Sequence, residues 1–228
     1  RGPLSPTEFR ERMRGPILSI PTPFTPDFAI DHRAIRSMVA GAADVGVRIF
    51  ALTKGNGQYA YLTDNEIREL TRTLSQAVGD QGITIAAAPS GWTGQVADYA
   101  RFAATVGADA VQIVRPQGCD DEATVAHYGT VADACGLPIV LYGDFPSELL
   151  KKLVNIPAVS ALKEDVTLNY YIDRQRHFGD RLAIFGGGTE SRFLVAEPYG
   201  SNCYYSAYTA FAPQAAMDFW KMVQSGDQ

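Results

Sequence analysis

The 228-residue chain is poor in the residues that staple or metallate small proteins. It has three cysteines, Cys119, Cys135 and Cys203, far apart and odd in number. That excludes a disulfide framework and reads as reduced thiols of a cytoplasmic protein. Its three histidines, His32, His127 and His177, share no metal-ligand spacing with one another or with the cysteines, so no metal site is expected. Basic residues are outnumbered, 20 against 25 acidic, giving a net charge of −5 with no basic run or stripe. A nucleic-acid partner is excluded on that ground, because phosphate binding needs clustered Lys and Arg. No apolar run is long enough to cross a membrane. The start, Arg1-Gly2-Pro3-Leu4-Ser5-Pro6, has no apolar signal core.

What remains is 46% hydrophobic and 20% charged, an ordinary globular composition with enough chain for a sizeable core. One punctuation recurs. Helical stretches end at Gly46, Gly79, Gly107, Gly136, Gly179 and Gly200, where glycine suits the left-handed position that closes a helix. Apolar strands follow at 47–53, 83–88, 110–114, 137–142, 182–185 and 202–206, and two more fit at 17–22 and 158–163. These runs are near-continuously apolar, the mark of parallel strands covered on both faces. Between them, apolar residues recur at helical spacing, as in Ile67, Leu70 and Leu74. Thr63-Asp64-Asn65-Glu66 is a capping box, and Thr93 is the expected cap of the next helix.

Eight βα units without a linker predict a single domain over 1–228, an α/β (β/α)₈ TIM barrel. An open doubly wound sheet is the rival. Gly55-Asn56-Gly57-Gln58-Tyr59-Ala60 follows a strand and suggests dinucleotide binding. The capping box, however, starts the helix well after those glycines, and the motif follows the second strand rather than the first.

Barrel chemistry gathers at the C-terminal strand ends. There the chain offers Lys163, a lone lysine closing an apolar strand. A desolvated lysine can attack a carbonyl to form a Schiff base, although a charge at a strand end can also be merely solubilising. Tyr142 ends the adjacent strand, so the two side chains can meet. Gly55, Asn56 and Gly57 can aim backbone N–H groups at a carboxylate. Gly187 and Gly188 let a substrate approach the backbone, and Ser206 ends the eighth strand. These six are the candidate substrate-binding residues, and Lys163 and Tyr142 are the candidate catalytic pair.

Four signatures recur in a known family: Thr22-Pro23-Phe24, Gly55-Asn56-Gly57-Gln58 with Leu62-Thr63 and Glu66, Leu141-Tyr142, and Leu162-Lys163-Glu164. From about Arg14 onward the chain resembles the dihydrodipicolinate synthase / N-acetylneuraminate lyase superfamily of Schiff-base barrels. Leu18-Ser19-Ile20-Pro21 and Tyr204-Tyr205-Ser206-Ala207, with Phe211-Ala212-Pro213, most resemble its 5-dehydro-4-deoxyglucarate dehydratases. The resemblance implies that Lys163 forms the imine, Tyr142 is the acid/base and Gly55 to Gly57 cradle a 2-keto carboxylate. It also implies a pyruvate or keto-deoxy sugar acid substrate, no cofactor, and a homo-oligomer, tetramer or dimer.

The departures are local. The family's paired threonines become Gly55-Asn56, its following glutamate is Gln58, and Pro116-Gln117-Gly118 replaces a tyrosine after strand four. Gly143-Asp144 replaces an Asn-Arg pair, reversing a charge where an anionic tail would bind, while Lys54 or Arg115 could supply positive charge instead. Relative to the family, a C-terminal helical extension is expected to be absent. Loss of β-hydroxyl or of a C–C bond fits the chemistry equally, so dehydratase and aldolase both stand. The altered second loop leaves a regulatory keto-acid-binding barrel as the alternative, and an NAD-dependent enzyme built on Gly55 to Ala60 as a third.

Overall fold

The computed structural model describes residues 2–187 and 190–226. Eight strands run parallel: β1 (Gly15–Ser19), β2 (Ile49–Ala51), β3 (Ile83–Ala87), β4 (Ala110–Val114), β5 (Ile139–Tyr142), β6 (Val159–Glu164), β7 (Ala183–Gly186) and β8 (Cys203–Tyr205). The sheet order is β7-β6-β5-β4-β3-β2-β1-β8, so β1 to β7 pair in sequence order and β8 pairs with β1. That order is a wound barrel and rules out the doubly wound rival. No β7–β8 ladder forms among the described residues. The seam is bridged instead by Ser201, whose hydroxyl donates to the Ile184 carbonyl (3.2 Å) and shares a hydrogen bond with Tyr171.

Helices α1 (Pro6–Arg12), α2 (His32–Asp44), α3 (Asp64–Val78), α4 (Thr93–Thr105), α5 (Asp121–Cys135), α6 (Ser147–Leu153), α7 (Leu168–Phe178), α8 (Glu190–Ala196) and α9 (Pro213–Ser225) accompany the strands. The capping box at Thr63 forms as its sequence requires: the Glu66 carboxylate accepts the Thr63 N–H at 2.7 Å. Gly136 closes α5 in the left-handed region (φ 65°), its N–H on the Ala132 carbonyl.

Two expectations need correcting, and one element is additional. Thr93 does not cap α4; Trp92 holds that position, Gln95 reaches back to its N–H, and the Thr93 hydroxyl bonds His127 Nδ1 at 3.0 Å instead. Gly179 is not left-handed (φ −65°). A Cβ there would lie 2.4 Å from the Gln175 carbonyl, so close packing demands the glycine. The helix α1, ahead of the first strand, was not read from the sequence. It carries its own capping box, Ser5 with Glu8, and buries Phe9 completely.

The core has two layers. One lies between sheet and helices and includes Leu18, Leu141 and Leu162. The other fills the barrel with Ile17, Ala51, Ile85, Val140, Ala161 and Phe185, and Leu4, Phe9 and Met13 close its N-terminal end. Strand side chains alternate faces, so the residue two positions beyond each inward one also points inward. Ser19 follows Ile17, Thr53 follows Ala51, Tyr142 follows Val140, Lys163 follows Ala161 and Gly187 follows Phe185. The interior is packed below and polar above, and that polar layer forms the floor of the site.

Candidate active site

A cavity of about 610 Å³ opens at the C-terminal ends of the strands. Its wall includes Ser19, Thr53, Asn56, Tyr142, Lys163 and Asp165, with Lys54, Gly55, Gly187, Tyr205 and Ser206 around them. The barrel closure therefore brings together most of the residues singled out in the sequence, from five different strands or their loops.

Lys163 is 9% exposed, although its neighbours on β6 are apolar. Three contacts hold its ammonium. The Tyr142 ring, paired with it in register across β5 and β6, lies with its centroid 4.0 Å from Nζ, and the Tyr205 ring lies at 5.2 Å. Asp165 Oδ2 is 2.8 Å away. A cation against aromatic faces gains about 0.5–2 kcal/mol, more as water is excluded. The other oxygen of Asp165 accepts the Gly187 N–H at 2.8 Å. A Cβ on Gly187 would lie 2.5 Å from that oxygen, so the glycine is what lets the carboxylate sit there.

The two tyrosines differ. The Tyr205 hydroxyl donates to Gln112 Oε1 at 3.4 Å within the barrel. Burial, reinforced by the Asp165 charge, raises its pKa far above the usual phenol value, so it stays protonated. Tyr142 is half-buried and lines the cavity directly.

The loop after β2 divides in function. Gly55 and Asn56 line the cavity. Asn56 Nδ2 donates to Ser19 Oγ at 3.0 Å, which in turn lies 3.0 Å from Thr53 Oγ1. Gly57 does not reach the wall. Its N–H donates to the Thr53 carbonyl at 2.8 Å, and its own carbonyl accepts from Thr22 Oγ1 at 2.7 Å. A Cβ at Gly57 would fall 2.4 Å from the Thr53 oxygen, which explains the glycine by packing alone. Gly188 lies outside the described residues. Ser206 lines the cavity, its hydroxyl donating to the Glu190 carboxylate at the start of α8.

Charges around the site are also sorted. Lys54 faces the cavity, bonded to the Ser90 hydroxyl, and burial lowers its pKa. Arg115 does not face it; its guanidinium is held by the Asp144 carbonyl at 2.7 Å. Asp144 also turns away, its side chain 70% exposed and 3.4 Å from Arg174. The charge reversal expected of Asp144 therefore falls outside the cavity, drawn off by Arg174. Behind β6, Glu164 and Arg174 form a fully buried ion pair, which the Val166 N–H (2.8 Å) and the Phe145 carbonyl (2.6 Å) complete. This network fixes the strand end that carries Lys163.

Sequence reasoning missed Asp165, Tyr205, Ser19 and Thr53. The inward period would have found Ser19 and Thr53, had the inward face been known. Asp165 carried no signal apart from its place two residues after Lys163. Among the described residues, no three His, Cys, Asp or Glu side chains converge on a possible metal position, and no helix is long and apolar enough to cross a membrane.

Comparison with known proteins agrees with the barrel fold. A 4-hydroxy-tetrahydrodipicolinate synthase of Anaplasma marginale is 26% identical over 92% of the chain and 73% of its own length. A Streptomyces griseus protein named probable 5-dehydro-4-deoxyglucarate dehydratase is 30% identical over 93% of the chain and 71% of its own. The chloride-inhibited dihydrodipicolinate synthase of Acinetobacter baumannii, solved with pyruvate, superposes with a TM-score of 0.86 at 20% identity, covering 94% of the chain and 77% of that structure. The dihydrodipicolinate synthetase family matches residues 12–228, and the chain belongs to that family.

Proposed function

We propose that the protein is a class I lyase of 2-keto acids that works through a Schiff base on Lys163. The observation that carries this reading is a nearly buried lysine amine set in a barrel-mouth cavity against the face of Tyr142. Lys163 Nζ attacks the C2 carbonyl, and loss of water leaves an iminium. The iminium draws electrons from C3, so a proton there becomes acidic or the C3–C4 bond becomes breakable. Loss of a β-hydroxyl makes the reaction a dehydration, and C–C cleavage makes it an aldol reaction.

Tyr142 moves protons to and from the substrate. Tyr205 is unsuited to that work, because its hydroxyl is committed to Gln112. The backbone of Gly55 and the Asn56 amide receive the keto acid's carboxylate. The Ser19–Thr53 hydroxyl pair places two exchangeable protons in the cavity wall, where the altered second loop lacks its own. No metal or organic cofactor enters these steps. Lys54 provides a positive charge for a second carboxylate, and Asp144 does not oppose it. That favours a 5-dehydro-4-deoxyglucarate-type dehydratase over a synthase. We extend the proposal to a cytoplasmic homo-oligomer, a tetramer or dimer.

Turnover of a keto-acid panel tests the reading: pyruvate with aldehydes, and keto-deoxy sugar acids with and without a terminal carboxylate. At least one is consumed by the wild type and none by Lys163→Ala. Saturable binding without turnover across the panel would favour a regulatory keto-acid-binding barrel instead.

A further inference from the structure

We infer that Asp165 is a catalytic residue: its carboxylate ferries protons from the Lys163 nitrogen to the departing carbonyl oxygen and then stays as the counter-ion of the iminium. This rests on the Schiff-base reading above. The geometry behind it is specific. Asp165 Oδ2 is 2.8 Å from Lys163 Nζ, and Oδ1 is anchored by the Gly187 N–H at 2.8 Å. One oxygen is fixed to the backbone while the other faces the nucleophile. Asp165 lines the cavity, so it also faces whatever carbonyl approaches Lys163.

Imine formation requires this traffic. An ammonium and a ketone become an iminium and water, so two protons must pass from nitrogen to oxygen. The first leaves the ammonium, freeing the lone pair that forms the N–C2 bond as the C=O π bond breaks. The second leaves nitrogen from the carbinolamine, and the hydroxyl departs with it as water as the C=N bond forms. Asp165 accepts each proton from nitrogen and returns it to oxygen, ending as it began, a carboxylate. The pair is neutral each time Asp165 holds the proton, and at the end the positive charge is on the iminium nitrogen, beside the negative charge of Asp165.

An ion pair this short would silence the lysine if it were permanent. The site prevents that in the way any closing cavity does. As substrate displaces water, the charged pair loses solvation, and the neutral amine–acid pair becomes competitive. The other titratable groups in the cavity wall are Tyr142, Tyr205 and Lys54, and Glu190 reaches it through Ser206. Arg192 sits behind the loop on the carbonyls of Glu164 (3.1 Å) and Val166 (3.5 Å). Of these, only Asp165 makes an ion pair with Lys163 among the described residues.

The test is the rate of imine formation, read as borohydride-trapped pyruvate adduct against time, from mildly acidic to mildly alkaline pH. Asp165→Asn keeps an amide oxygen for the Gly187 N–H, so the loop is preserved. Its plateau rate is expected to fall about 10²-fold, a usual scale for general acid–base groups. Asp165→Glu, which retains a carboxylate, recovers part of that loss. Asp165→Ala is accelerated by added formate in proportion to its concentration, which a purely structural role would not produce. A wild-type or faster rate in Asp165→Asn overturns the assignment, as does a slowed Asp165→Ala that formate does not help. If the wild type itself forms no adduct, the Schiff-base reading falls, and this assignment with it.

Discussion

Tyr142 and Lys163 occupy paired register positions on β5 and β6, and the lysine nitrogen lies 4.0 Å from the centre of the tyrosine ring. The contact is made by the face of the ring, and Tyr142 also lines the cavity. Two roles of one side chain can therefore be separated. Tyr142→Phe keeps the aromatic face and loses the proton. It should still form a trappable imine, with kcat reduced by about 10²–10³-fold. Tyr142→Ala should lose both. Steady-state kinetics and borohydride trapping on the two variants check this.

The buried Glu164–Arg174 pair gives a stability prediction. Glu164→Gln leaves the buried Arg174 charge with only the exposed Asp144 carboxylate, 3.4 Å away, at a cost of about 3–5 kcal/mol. The loss should appear as a lower denaturant midpoint in urea unfolding. Replacing both residues by apolar ones of similar size should cost less than either single change, because no charge is then stranded.

The lysine and tyrosine were legible because strand ends in a barrel face one mouth, and both end apolar runs. The fold was legible for a related reason: glycine-closed helices alternate with apolar strands. The inward face was not, because parallel strands buried on both sides show no alternation, and so Ser19 and Thr53 went unseen. Gly57 looked like an anion donor because glycine is ambiguous between function and packing. The Thr53 carbonyl and the Tyr59 ring resolve it toward packing. Asp144 misled because a residue's position in a motif does not say which way its side chain turns, and Arg174 decides that here.

Lys54 should discriminate among substrates. Lys54→Met is expected to raise KM about tenfold, or ~1.4 kcal/mol, for a keto acid with a second carboxylate. The same change should leave KM for pyruvate little altered. Equal effects on both would remove the role given to Lys54.

His127 sets part of the acid sensitivity of the fold. It is buried, and burial lowers its pKa below the ordinary histidine value of 6.5. Below that value the unfolded chain takes up a proton that folded His127 refuses, so stability falls as pH falls through it. The fall levels off once the folded imidazole is also protonated. His127→Gln should therefore lose less stability than the wild type between neutrality and about pH 5. Denaturant unfolding at the two pH values measures the difference.

The most direct measurement is reductive trapping. Folded wild-type protein, incubated with pyruvate or a 2-keto-3-deoxy sugar acid and treated with borohydride, should gain the mass of the reduced adduct. Peptide mapping should place that mass on Lys163, and Lys163→Ala should gain none. An adduct on another lysine, or none with any keto acid on protein that is folded by circular dichroism, would contradict the account.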